Sequence, residues 1–503
     1  MKKTFITAIL LILVQYISNA QDSYQVLFRN GLNDGVCSMI EDNSGNIIAV
    51  GGRNTQDYYK ETNRGTIWKI NSATDTLSKT ISFDDTASYF GYIEQKGNGN
   101  FLVIGILFLP PAYETNALIF LELDSNLEKV SQKSLAINGS TSIGVHLVKK
   151  FNNEYYVFGN LLENNIDHKR CIIKLDSDLD TIRTQLYDDP SHGGGLFMDC
   201  ILSPDSNQLW TFCYAFTSAN ATPDDLFVFD TSLNFIYSKP FPHYLNPVTY
   251  DIEVAYEHNM TVKWITDSTF LVGCNHLRTF NHQQDIEEDI GFSEMDSILG
   301  LVPVTYKGAT DTNDYATYFR GTFDFKVTDS IVYSGTKNQI SEFWPHNPSW
   351  IKAGMMSKSL HPYYDRYYGG DAYYRSMIIK STSDGGSVIA ATRYDYLTQN
   401  SECDVIFIKL NPEGLITGYK DNEICPYTIF NLNPNPANEY LNVLLIIHKA
   451  EMKIYDVSGS LIFQEQIIEG KNLIDCRHLK SGLYTCEITT PKGEVFTKKW
   501  IKQ

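Results

Sequence analysis

The 503-residue chain carries 59 acidic against 41 basic residues, a formal charge of −18, and is 43% hydrophobic and 20% charged. That content is globular, not disordered, and the acidic balance, with no basic stripe to offset it, repels nucleic acid and anionic lipid. The length accommodates a large repeat domain and a small one, or several average domains, and 13% aromatic residues, 32 of them Tyr, favour β structure.

Met1-Lys2-Lys3 is a positive n-region, Thr4 to Ile17 an apolar h-region, and Ser18-Asn19-Ala20 a small-residue cleavage site. Residues 1–20 read as a secretory signal peptide, because the apolar run falls short of the ~20 residues a membrane span needs. The first cysteine past that site is Cys37, so a lipoprotein anchor is not indicated, and no later stretch is apolar enough to span. The mature chain is expected to be exported, with no transmembrane segment. Its nine cysteines form no CxxC pair, so neither a zinc cage nor a regular disulfide framework is indicated. Cys403–Cys425 and Cys476–Cys486 are the candidate bridges.

A pattern then returns every ~55 to 60 residues, a period that points to a propeller or another array. A tight polar turn precedes an apolar strand that often ends in Gly. The copies are Asn43-Ser44-Gly45-Asn46 then IIAVG, Gly97-Asn98-Gly99-Asn100 then FLVIG, and Asn152-Asn153-Glu154 then YYVFG. Asp205-Ser206-Asn207 then QLWTF, Asp267-Ser268 then TFLVG, Asp329-Ser330 then IVYSG, and Asp384-Gly385-Gly386 then SVIAA complete the series. A short apolar strand precedes each turn, which makes a hairpin. Third strands such as TIWKIN and CIIKLD follow in most copies, then fourth strands such as TLSKTISF. Four antiparallel strands make a propeller blade, which must stack on its neighbours in a closed ring to bury both faces.

The expected fold is therefore all-β: a seven-bladed β-propeller over residues 21–418, with six or eight blades and a pair of β-sandwiches as alternatives. The pattern resembles the propeller repeats of secreted bacterial proteins, where DGG or DGN precedes the second strand. Copies five and six are longer and degenerate, and copy six lacks a clear third strand. The acidic run Asp285 to Asp296 reads as an exposed insertion.

In a propeller, loops entering the innermost strands gather round the central channel. Three such stretches are rich in Gly and aromatics: Tyr89-Phe90-Gly91-Tyr92, Ser191-His192-Gly193-Gly194-Gly195, and His361 to Ser376, HPYYDRYYGGDAYYRS. Tyrosine offers a flat apolar face with a hydroxyl at its edge, suited to stacking on sugars or peptides. The candidate ligand-binding residues are Tyr363, Tyr364, Arg366, Tyr367, Tyr368, Tyr373, Tyr374, His192, Tyr89 and Tyr92; a packed Gly/Tyr loop between blades is the plainer reading. The alternating Asp176, Asp178 and Asp180 lack the Gly and bidentate Glu of an EF-hand loop and read as a solvated turn. No GxSxG, HExxH or P-loop is present, so no catalytic residue, metal or cofactor is indicated.

Residues 419–430 read as a linker. From Asn431 the chain enters on NLNPNPANEYLNV, continues through MKIYDVSGSLI and LKSGLYTCEITT, and finishes on FTKKWIKQ. Short strands separated by turns within roughly 70 residues suggest a small Ig-like β-sandwich. Pro434-Asn435-Pro436-Ala437, Ile454-Tyr455-Asp456 with Ser458-Gly459, Ser481-Gly482-Leu483-Tyr484 and Lys498-Lys499 stand in order to the chain end. In them residues 431–503 resemble the type A C-terminal sorting domain of the type IX secretion system of Bacteroidetes-type bacteria. The departures are Leu432-Asn433 before the first Pro, and Cys476 and Cys486 at positions that are usually apolar. The resemblance implies that Pro434, Asn435, Pro436, Tyr455, Asp456, Gly459, Gly482, Tyr484, Lys498 and Lys499 carry the sorting signal. It further implies that the translocon and sorting machinery are partners, and that the product is secreted or attached to the outer-membrane surface after periplasmic transit. What the propeller does there has three readings. One is a binding module for a glycan or protein ligand; another is a secreted hydrolase or lyase with carboxylates in the channel; the third is a structural or adhesive surface component.

Overall fold

The computed structural model describes residues 23–503 except 30–31, 55–61, 72–74, 84–85, 110–114, 137–141, 164–166, 188–195, 215–224, 241–243, 246–251, 254, 281–284, 297–301, 309–311, 319, 327–329, 341–343, 399–401, 417–429, 434–435 and 492–494. The signal-peptide assignment and nearly all of the linker lie outside the described residues. The chain falls into two compact units, Met1–Tyr367 with Tyr373–Asn422, and Glu423–Gln503 with Tyr368–Ala372.

Among the described residues the first unit holds seven sheets of four strands in antiparallel succession, blade six's inner strand being in two pieces, and a small three-stranded sheet of Tyr244–Leu245, Ile252–Glu253 and Val302–Pro303; the seven make it a seven-bladed β-propeller. Blade one runs Asn33–Glu41, Ile47–Asn54, Arg64–Ile70 and Thr76–Thr80 from the channel outwards. Blades two to five begin on inner strands Ala87–Gln95, Ser142–Phe151, Leu196–Leu202 and Ala255–Trp264. Blade seven has only three strands from its own stretch, Tyr373–Ser381, Ser387–Tyr394 and Cys403–Leu410; its fourth is the N-terminal strand Tyr24–Phe28, paired to the last of them from Tyr24↔Lys409 to Phe28↔Val405. The two ends of the repeat are thus tied by a sheet ladder, which removes the open edge an unclosed array would expose.

All seven turn-and-apolar-strand copies are second strands of blades. They are buried almost throughout because apolar clusters form between neighbouring blades: Val36, Trp68, Ala390 and Phe407 across blades seven and one, Val50, Phe90 and Val103 across one and two, Phe158, Phe197 and Phe229 across three and four. Glycine ends many of these strands for a steric reason. The inner strand has a β-bulge opposite, for example between Val36 and Ser38, Phe90 and Tyr92, and Val145 and Leu147. A Cβ on Gly159 would stand 2.1 Å from the Gly144 carbonyl oxygen, and one on Gly51 would stand 1.8 Å from that of Gly35.

Several expectations are corrected. Asp285–Asp296 is no insertion but the third strand of blade five, paired in register with Thr269–Phe280, with Ile290, Phe292 and Met295 buried. Blade six does have a third strand, Trp350–Ser357; what is degenerate is its inner strand, broken into Asp314–Ala316 and Phe323–Asp324. The tyrosine run is not a loop: Pro362–Gly369 is the outer strand of blade six and Tyr373–Ser381 the inner strand of blade seven. The Asp176 carboxylate accepts from the backbone N–H of Asp178 (2.9 Å) and Asp180 (2.8 Å), and Asp124 caps the same turn in blade two. Cys403, Cys476 and Cys486 are free thiols, so Cys476 and Cys486 do not bridge; Cys425 lies outside the described residues.

The second unit is a small β-sandwich with its own core, in which Leu441, Met452, Ile454, Cys486, Ile488 and Trp500 pack together. The strands are longer than the sequence suggests. Tyr440–Tyr455 runs through a register break at Leu445/Lys449 and pairs with Leu461–Asp475 along its length. In the hairpin turn between them Asp456 accepts from Ser458 N–H (2.8 Å) and Ser460 N–H (3.0 Å), and Gly459 takes φ 79°.

Candidate ligand-binding site

The break in the inner strand of blade six has a structural consequence. Between its two pieces, residues 317–318 and 320–322 leave the sheet and cross to other blades. Gly321 N–H donates to Thr261 Oγ1 in blade five (2.9 Å), Tyr318 N–H to the Ser376 carbonyl in blade seven (2.7 Å), and Ile379 N–H back to the Gly321 carbonyl (3.0 Å). Arg320 donates to the carbonyls of Phe197 (2.5 Å) and Met198 in blade four, and burial pulls its pKa down to about 10. The partners sit on the inner strands of blades four, five and seven, so this segment plugs the channel that those strands surround. Gly321, at φ 105°, is where the plug turns; a Cβ there would also meet Ile378 Cγ1 at 2.6 Å.

Beside the plug, which contributes Tyr318 to its lining, a cavity of about 280 Å³ opens where the ring closes. Its walls come from blades one, two, six and seven. Tyr89, Tyr318, Tyr373 and Tyr394 supply aromatic surface, Asn33, Asn54 and Asn63 amides, and Arg375 a cation. The Arg375 guanidinium carbon lies 4.6 Å from the Tyr318 ring centroid and 5.8 Å from that of Tyr373. Asp34 also lines the space but is held by Arg53 through both oxygens, at 2.7 and 3.2 Å. Two thiols border the site. Cys37 is hydrogen-bonded to the Tyr89 hydroxyl and Cys403 lines the wall; burial pushes each up to about 12.

The cavity brings together two of the sequence-predicted residues, Tyr89 and Tyr373. Tyr92 is half-buried on the same strand as Tyr89 and donates to Glu94 Oε2 (3.1 Å). Tyr374 is buried and accepts from Arg393 Nε (3.1 Å), and Tyr368 is buried as well. Tyr363, Tyr364, Arg366 and Tyr367 stand on the outer strand of blade six. Tyr363 faces solvent, Arg366 donates to the Glu413 carbonyl (3.1 Å), Tyr364 packs on Gly414, and the Tyr367 hydroxyl accepts from Lys352 Nζ (3.0 Å). His192 lies outside the described residues. Sequence reasoning singled out none of Asn33, Asn54, Asn63, Tyr318 or Tyr394. These come from scattered positions and share no local pattern. Arg375 lay inside the tyrosine run without a signal of its own.

In the tail unit, several of the expected sorting residues hold its fold. Tyr484 stacks on Trp500 with ring centroids 5.3 Å apart, and its hydroxyl donates to the Lys480 carbonyl (2.8 Å). Tyr455 donates to Glu487 Oε1 (3.2 Å), and Gly482 opens the strand that pairs with the last one. Pro436 and Lys499 are exposed, Lys498 lies 5.9 Å over the Phe430 ring, and Pro434 and Asn435 lie outside the described residues.

Residues 431–503 match the family model of the secretion system C-terminal sorting domain. The tail is accordingly a type IX sorting domain: the chain is secreted across the outer membrane, free or surface-attached, and interacts with that machinery. No helix among the described residues is long and apolar enough to cross a membrane. No curated protein matches the chain. Among solved structures the chain is similar to puromycin hydrolase at TM-score 0.46 and 11% identity, covering 82% of this chain and 59% of that one. It is similar to a mutant of NanB sialidase from Streptococcus pneumoniae at 0.38 and 11%, covering 79% and 72%. It is also similar to the β-propeller domain of the Trilobed protease from Pyrococcus furiosus at 0.37 and 7%, covering 72% and 95%.

Proposed function

We propose that the propeller is a binding module, carried outside the cell by its sorting tail, and that its ligand enters the cavity at the ring closure. The observation that supports this is the lining: four tyrosines, three asparagines and one arginine round a space of about 280 Å³. That volume is just below the usual range of ligand pockets, roughly 300–1,000 Å³, and suits one ring or the end of a chain. Its ionisable groups favour holding over chemistry. Asp34 is spent on Arg53, and thiols raised to about 12 stay protonated and poorly nucleophilic at neutral pH.

A hydrolase or lyase on the same scaffold has one group in its favour. Burial, then the neighbouring Glu402, hold the Asp404 carboxyl up to about 6, within the range of a general acid. Strand alternation turns Asp404 away from the wall that Cys403 lines, so binding remains the better reading.

Gly35 provides the test. It lines the cavity, and a Cβ there meets only Met377 Cε, at 4.0 Å. Gly35→Leu should fill the cavity while leaving the ring folded. Purified full-length protein on a glycan and peptide array should show binding that this variant loses. Binding by the variant equal to wild type, or no binding by wild type, would overturn the reading.

A further inference from the structure

We propose that the end of the channel away from the cavity is an anion site, and that its ligand is a small tetrahedral dianion, a phosphate or sulfate group. The inference does not depend on the cavity being a ligand site. Each blade begins on its inner strand, so the seven inner strands run the same way through the ring. The cavity draws on the first residues of these strands, Asn33 to Gly35, Tyr89, Tyr373 and Arg375. Further along stands a row of charges. Lys149 is on blade three, Asp199 on four, Lys263 on five, Asp324 on six and Lys380 on seven. Lysine and aspartate thus alternate round five consecutive blades. The plug lies against this row: Gly321 bonds to Thr261, two residues before Lys263, and to Ile379, next to Lys380. It gives that end of the channel a floor.

The two aspartates belong to the frame. Asp199 bonds Lys149 at 2.5 Å and accepts from the N–H of Cys200 (2.8 Å) and of Val262 on the next blade (2.7 Å). Asp324 pairs with Lys263 and accepts from Ser381 N–H on blade seven (3.1 Å). Their side chains are 3% and 11% exposed, against 26% and 29% for the lysines they hold, so what reaches solvent is ammonium. The third lysine is left over. Among the described residues the Lys380 ammonium has neither an ion pair nor a hydrogen bond. Asp324 pulls its pKa up, burial with Lys263 and Lys149 presses it down, and the balance lies below the ordinary lysine value. Arg320 in the plug is a fourth cation, and its neighbouring carboxylate is again Asp199. Four cations therefore stand with two carboxylates, in a chain of net charge −18. The bordering pairs Lys150–Glu94 (2.9 Å) and Lys326–Glu41 are closed and leave that balance unchanged. A recess of one sign between low-dielectric walls concentrates the opposite ion.

The excess of two charges sets the class. A carboxylate or a chloride neutralises half of it. A carboxylate is also planar, the match of an arginine fork, whereas lysines on blades three, five and seven offer point charges from several sides, which suits oxygens arranged tetrahedrally. A long polyanion meets the acidic surface before it meets a recess with a floor. A phosphate or sulfate group, free or at the end of an ester, meets both conditions.

The test titrates the purified full chain in a calorimeter, at constant ionic strength, with sulfate, inorganic phosphate, glucose 6-phosphate and acetate. Sulfate and phosphate should bind at least roughly tenfold tighter than acetate, about what one further charge-assisted hydrogen bond supplies. A phosphomonoester loses its second charge below a pKa of about 6, so its binding should weaken from pH 8 to pH 5 while that of sulfate holds. Lys380→Gln should weaken sulfate at least roughly tenfold, Lys380→Arg should retain most of the affinity, and Lys133→Gln, on the outer strand of blade two, should bind as wild type. Lys149→Gln is a second lesion in the same row should Lys380→Gln not fold; circular dichroism and melting decide that. Binding of glucose 6-phosphate beside the inorganic ions supports a terminal ester group as ligand, and binding of the inorganic ions alone supports a free ion. Binding no tighter than acetate overturns the proposal, as does indifference to both Gln variants in the row, an equal loss in Lys133→Gln, or a loss in Arg375→Gln alone, which would put the anion in the cavity.

Discussion

Asp404 shows how one side chain sets a pH dependence. Its Oδ1 is buried without a hydrogen-bond partner, its nearest cation is the exposed Arg29 at 3.8 Å, and desolvation with Glu402 holds its pKa at about 6, above its ordinary 3.8. Between those two values the folded protein keeps a proton that the unfolded chain has released. The carboxylate therefore costs stability at pH above about 6, and the cost fades as pH falls towards 3.8. Asp404→Asn should raise stability at pH 8 by about 1–2 kcal/mol, and the gain should vanish near pH 4. Urea midpoints at the two pH values decide it; a variant less stable than wild type at pH 8 would show that the charged form makes an interaction worth more than its burial. His146 runs the other way. Burial, then Arg320 and Arg170, hold it down at about 3, so its contribution is intact above pH 6.5 and is lost as pH falls towards 3.

At the scale of the strand, the legible part of the fold was the part with local causes. Second strands announced themselves because they are buried on both faces, follow an Asn/Asp/Gly turn and often end in glycine. The cause of that glycine was not legible, since it is a bulge in another strand. Gly159→Ala should cost roughly 1–3 kcal/mol, an overpacking penalty against the Gly144 carbonyl. Gly97→Ala, where nothing lies within 4 Å and φ is not positive, should shift stability by less than about 0.5 kcal/mol. Equal melting temperatures for the two variants would mean that the bulge yields. Acidic residues at Glu287, Glu288 and Asp289 hid the strand that buries Ile290 and Phe292, and the inner strand of blade six is in pieces too short to carry a period. The cavity was legible only where it draws on tyrosine clusters, at Tyr89 and Tyr373. Asn54, Tyr318 and Tyr394 reach it through the closure of the ring, a long-range event with no local signature.

At the scale of the molecule, closure and export are separate devices. The ring closes through Tyr24–Phe28 on Cys403–Leu410, and Tyr24 is buried in the cluster shared by blades seven and one. All of that lies within the first unit. The sandwich core draws its members only from Phe430 to Trp500. Apolar burial stabilises each unit through its own cluster, so removing the tail should leave the propeller folded and deprive it only of its address. A chain ending before Asn431 should accumulate in the periplasm with a cooperative melt and the ligand binding of the full protein, whereas the full chain reaches the surface or the medium. Cell fractionation with surface protease digestion reads the first outcome and calorimetry the second. Surface display of the truncated chain would show that the propeller carries a second export signal, and loss of its melt would show that the two cores are one cooperative unit.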